Sequence, residues 1–140
     1  MSTLVSRRLV IDNHPFQLNF EHKDETWKIR VQAELSQDHV LANILQSCFI
    51  YGVDHLLRAV ANREGQSFEG AVAYCYADEE PEVTPGNIGL SYLDEEAEVP
   101  ENLFRNLVSC AAALLLEIID REGQPEPAWA KLLDQIDQES

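Results

Sequence analysis

The chain has 140 residues, 45% of them apolar, with 25 Asp/Glu against 10 Lys/Arg and a net charge of −15. This length suits one domain with a normal core, so the acidity does not imply disorder. Its negative potential repels nucleic-acid phosphates and anionic lipid surfaces and favours a basic protein.

The first eight residues hold no apolar run of signal-peptide length, and the protein is expected to be cytoplasmic. Residues 4–11 mix β-branched and apolar side chains before a turn cluster at 12–15. Phe16, Leu18 and Phe20 then alternate with polar residues, as Trp27, Ile29, Val31 and Ala33 do after the charged segment 21–25. A period of two marks half-buried strands, so residues 4–33 predict a three-stranded antiparallel meander.

From Ser36 and Asp38 the period changes. Val40, Leu41, Ile44, Leu45, Cys48, Phe49, Val53, Leu56, Leu57 and Val60 form a helical stripe of about six turns, interrupted only by Gly52. Gly65 is expected as its C-cap. Residues 71–77 and 88–93 predict two further strands, joined through an acidic, proline-containing loop with Pro85-Gly86 as its turn. Residues 101–120 predict a second long helix, apolar on nearly every side and therefore either buried or covered by another chain. Arg105, Asn106 and Glu117 interrupt its apolar run as a membrane span. Residues 124–127, Gln-Pro-Glu-Pro, connect to a docking helix at 128–138. The tetrapeptide Arg-Glu-Gly-Gln ends both long helices, at 63–66 and 121–124.

The expected fold class is α+β, a single domain over 1–140. It would hold one antiparallel sheet of about five strands, the N-terminal meander plus an acidic hairpin. Two long helices would pack on one face, followed by the short C-terminal helix.

The chemistry-bearing residues are unevenly placed. Residues 1–63 hold seven Lys/Arg and seven Asp/Glu, whereas 64–140 hold three and eighteen. Two clusters stand out: Asp78, Glu79, Glu80 and Glu82, then Asp94, Glu95, Glu96 and Glu98. They lack the glycine and alternating spacing of a calcium loop. They also lie where solvent would keep their pKa values alike, which disfavours acid–base catalysis. Cys48, Cys75 and Cys110 have no metal spacing and read as reduced, packed thiols. His14, His22, His39 and His55 form no metal-binding pattern and read as ordinary surface or edge residues. No phosphate loop or nucleophile motif is present. No enzyme activity, cofactor or metal is expected.

Recognition remains. Tyr74 and Tyr76 share one strand face and Ala73, Cys75 and Ala77 the other. The small residues are expected beneath a helix, leaving Tyr74, Tyr76 and Tyr92 outward beside the carboxylates as a partner-binding surface. The expected function is neutralisation of a basic partner, such as a toxin or nuclease, by an acidic protein-binding domain. In size, charge and lack of catalytic groups this outline is similar to that of bacterial immunity proteins, though no motif carries the likeness. The alternative is an acidic secretion chaperone or adaptor that binds an unfolded client, a homodimer through helix 101–120 or the C-terminal helix.

Overall fold

The computed structural model describes residues 3–138; Met1, Ser2, Glu139 and Ser140, the ends of the expected domain, lie outside them. The N-terminal meander is present as β1 (Thr3–Ile11), β2 (His14–Lys23) and β3 (Thr26–Ala33), antiparallel in that order. Asp12 and Asn13 have φ of 48° and 69°, Asp24 and Glu25 of 53° and 65°. Both hairpins thus turn through two left-handed residues, a twist that matches the strands they join. The turn is shorter than expected, since His14 and Pro15 already belong to β2. Phe16, Leu18 and Phe20 on β2 and Ile29 and Val31 on β3 are buried, while Lys28 and Arg30 face water. Each such burial contributes roughly 1.5–3 kcal/mol.

The expected six-turn helix is two helices, α1 (His39–Tyr51) and α2 (Val53–Ala61), bent by 115° at Gly52. A straight rod of that length would run roughly 35 Å, beyond the body of so small a domain. Gly52 is extended, and a Cβ there would lie 3.0 Å from the His55 ring and 3.1 Å from an Asp54 carboxylate oxygen. The bend also divides the apolar stripe. α1 buries Val40, Leu41, Ala42, Ile44, Leu45, Cys48 and Phe49, an arc too wide for one sheet to cover.

The consequence is a correction to the single five-stranded sheet. A separate antiparallel sheet contains β4 (Gln66–Phe68), β5 (Val72–Tyr76), β6 (Asn87–Tyr92) and β7 (Glu95–Pro100) in chain order. α1 packs against β3 and also against β5, β6 and β7, and so joins the three-stranded and four-stranded sheets. The fold is α+β, with four helices and two antiparallel sheets. β5 and β6 match the expected strands. β7 does not read as a strand because Ala97 and Val99 are its only inward apolar residues and carboxylates occupy most of the rest. Charge on an edge strand discourages pairing with another chain.

α3 (Glu101–Arg121) buries Leu103, Phe104, Leu107, Val108, Ala111, Ala112, Leu115, Ile118 and Ile119. By length and composition it could cross a membrane, yet half of its most apolar window is buried within this chain. Asn102, Ala113, Glu117, Asp120 and Arg121 are its exposed positions, so burial in one chain accounts for its apolar character. α4 (Ala130–Gln138) docks on α2 and α3 and buries Leu133 and Ile136.

The repeated tetrapeptide ends the two long helices differently. After α3, Gly123 takes the left-handed position, with φ of 69°. After α2, Arg63 takes it, with φ of 52°, so Gly65 is not the expected cap. Gly65 meets a different need: a Cβ there would lie 2.5 Å from the Tyr74 carbonyl oxygen and 3.0 Å from the Cys75 Cα. The proline-rich connector is anchored too. Gln124 Oε1 accepts from Trp27 Nε1 at 2.9 Å, and its Nε2 donates to His22 Nδ1 at 3.3 Å.

Candidate functional site: an acidic sheet face

In the second sheet Tyr74 and Tyr76 point inward, not outward. They are 2% and 1% exposed. The Tyr74 ring lies 4.8 Å from that of Phe104, and its hydroxyl donates to Gln66 Oε1 at 2.8 Å. Arg63 sits over Tyr76, 5.2 Å from the ring centroid. Burial raises both phenol pKa values above the usual tyrosine range. Tyr92 pairs with the inward-facing Val72 and is half-buried. Tyr74, Tyr76 and Tyr92 therefore all face inward rather than outward beside the carboxylates, and the small residues lie on the outer face.

That outer face is flat for a local reason. Ala73, Cys75, Gly89 and Ser91 form its floor, with Cys75 opposite Gly89 and Ala73 opposite Ser91. The loop after β5 returns across them and buries Val83, so that a Cβ on Gly89 would lie 2.7 Å from the Val83 Cγ2. Larger side chains here would displace the loop. Burial, and then the carboxylates of Glu79 and Glu80, hold the Cys75 thiol pKa above its usual value.

The carboxylates of the two clusters separate by role. Glu80 and Glu82 on the loop, and Glu96 and Glu98 on β7, line one open depression of about 540 Å³ over this floor. Glu98 also supports the loop, accepting from Asn87 Nδ2 at 3.1 Å and from the Thr84 N–H at 3.2 Å. These bonds hold its carboxyl below the usual range. Asp78 and Glu79 do not join the depression. Asp78 pairs with Arg63, whose guanidinium also forks onto Glu101 at 2.7 and 3.2 Å. Hydrogen bonds from Arg63 to Glu101 and then to Asp78 raise its pKa further. Glu79 accepts from the backbone N–H groups of Gly65 and Tyr76 at 3.0 and 2.9 Å. Asp94 sits at the exposed β6–β7 turn, and Glu95, at the strand end, lies 3.5 Å from His39.

Sequence reasoning missed Val83, Gly89 and Ser91. The alternation of Gly89 and Ser91 with Ile88 and Leu90 was a readable signal of a small-residue face. It also missed that His14 is structural: its Nδ1–H donates to Asp38, 2% exposed, at 2.9 and 3.0 Å. This bond ties the start of β2 to the 3-10 turn Ser36–Asp38 before α1.

Among the described residues, no three His, Cys, Asp or Glu side chains converge to hold a metal ion. What the depression offers is negative charge above small side chains, part of which the loop's own Val83 covers. No protein family, curated protein or solved structure matches the chain.

Proposed function

We propose that this chain is an acidic, non-enzymatic protein-binding domain that neutralises a basic partner, a toxin or nuclease domain, in the cytoplasm. The observation that carries the reading is convergence. Glu80 and Glu82 are separated in sequence from Glu96 and Glu98, yet all four surround one depression. The carboxylates would occupy lysines and arginines that the partner uses on substrate phosphates. Their field would speed encounter, and the small floor would admit the partner's long cationic stems. Asp94 and Glu95 at the hairpin end would extend the rim towards the usual interface size of about 800 Å² per partner. Tyr92, half-buried on the opposite side of the sheet, would contribute through packing.

The test is a triple reversal, Glu80→Lys, Glu82→Lys and Glu96→Lys, which spares the internally bonded Glu79 and Glu98. Affinity-tagged wild type and variant are compared for capture of basic proteins from the native host at 0.15 M salt. Wild type should enrich a basic protein that the variant does not, with thermal midpoints within about 2 °C of each other, as expected for exposed sites. Equal capture by both would reduce these carboxylates to a solubilising role.

A further inference from the structure

A second concave surface lies on the far edge of the same sheet, away from β7. It is a groove of about 910 Å³ between β4 and the α1–α2 bend. Its wall is apolar and open to water, with Ile50 52% and Tyr51 62% exposed. Exposure of isolated apolar groups needs no explanation, but these two adjoin one another and the ring of Phe68. The Tyr51 ring packs at 5.2 Å on both Phe68 and His55, so the wall is a preformed aromatic ledge.

The floor is strand backbone. β4 pairs with β5 on one side only, and no strand among the described residues covers its other edge. Gln66 and Phe68 share the inward face with their partners Tyr74 and Val72, while Ser67 faces out. An exposed sheet edge carries alternate unpaired N–H and C=O groups, the template for strand addition. Such an edge accepts an extended chain, and the ledge beside it accepts every second side chain of that strand. β4 is short, at three residues, but Gln66-Ser67-Phe68 carries no lysine, proline or inward charge to oppose pairing. The charged rim supplies the last constraint. Glu64 and Glu69 flank the groove against Arg58, in a protein of net charge −15.

We propose that the β4 edge and the Ile50–Tyr51 ledge bind an extended, basic polypeptide segment with aliphatic side chains at alternate positions, adding it to the four-stranded sheet as a fifth strand. This site stands apart from the acidic depression and does not depend on it.

The probe is a fluorescein-labelled twelve-residue peptide alternating valine and threonine between paired terminal lysines, followed by anisotropy at 0.15 M salt. A peptide of the same composition with its valines contiguous is the comparison. Wild type should bind the alternating peptide saturably and at least tenfold more tightly than the contiguous one. Ile50→Asp with Tyr51→Asp, both exposed and expected to leave the fold intact, should weaken binding at least tenfold. Hydrogen exchange of the segment 66–68 should slow when the peptide is present. The Glu80, Glu82 and Glu96 reversal should retain binding within about threefold. Absence of saturable binding, equal affinity for the two peptides, or loss of binding in the triple reversal instead of the ledge variant would each overturn the proposal.

Discussion

Glu79 lies in a cluster of four carboxylates, yet its bonds predict a role opposite to that of its neighbour Glu80. Its side chain accepts from two backbone donors, Gly65 N–H at 3.0 and 3.2 Å and Tyr76 N–H at 2.9 Å, and so fastens the end of α2 to β5. A hydrogen bond to a charged group is worth about 1.5–3 kcal/mol. Glu79 reaches its donors from an exposed loop, where water competes, so each bond is worth about 1–1.5 kcal/mol. Glu79→Ala is therefore expected to cost about 2–3 kcal/mol, and Glu79→Gln, which keeps one acceptor oxygen, less. Glu80→Ala should stay within about 0.5 kcal/mol of wild type. Urea unfolding followed by tryptophan fluorescence measures the difference. With a slope of about 2 kcal/mol per molar, the Glu79→Ala midpoint should fall by roughly 1–1.5 M. Coincident midpoints for Glu79→Ala and Glu80→Ala would refute the division of this cluster into structural and free carboxylates.

Three further outcomes follow from the same geometry. Gly65→Ala would place its Cβ 2.5 Å from the Tyr74 carbonyl oxygen, an overpacking expected to cost about 1–3 kcal/mol and visible as a lower thermal midpoint; an unchanged midpoint would contradict the close approach. Burial pushes the Cys48 thiol up to about 12 from 9.0, so its stabilising contribution is intact below pH 9 and declines as pH rises towards 12. Cys48→Ala should thus lose stability less steeply than wild type between pH 9 and 11, and parallel slopes would count against it. The Glu98 carboxyl is lowered by Asn87 and Thr84, so its contribution is present above the unfolded value of 4.5 and lost as pH falls through the folded one. Glu98→Gln should flatten the acid limb of a stability–pH curve below 4.5, and an unaltered limb would show that these bonds do not persist in solution.

The two surfaces proposed for binding are built by different means. The acidic depression depends on a loop folding back over glycine and small residues, whereas the β4 groove depends on a helix bend next to an uncovered strand edge. Charge reversal at Glu80, Glu82 and Glu96 addresses the first, and the Ile50 and Tyr51 changes address the second. Both sets fall at exposed positions, and Tyr51→Asp gives up only the ring contacts with Phe68 and His55 at the edge of the groove.

Much of the local structure was readable directly. Period-two alternation located β2 and β3, the period-3.6 stripe located α1 and α2, and the apolar content of 101–120 located α3. The concentration of carboxylates after residue 63 also followed from composition alone. These properties depend on neighbours a few positions apart, and the chain order states them outright.

Only the tertiary structure decided which face of β5 is inside, because periodicity says that Tyr74 and Tyr76 share a face without saying which way it looks. The bend at Gly52 arises from the size of the body that α1 and α2 must cover. β7 becomes a strand through its pairing with β6, despite its weak apolar pattern. The fate of each carboxylate rested on groups far along the chain: Glu79 meets a donor 14 residues before it, while Glu80 meets none among the described residues. Electrostatic and hydrogen-bonding roles act over a few ångströms in space, and sequence separation does not measure that distance.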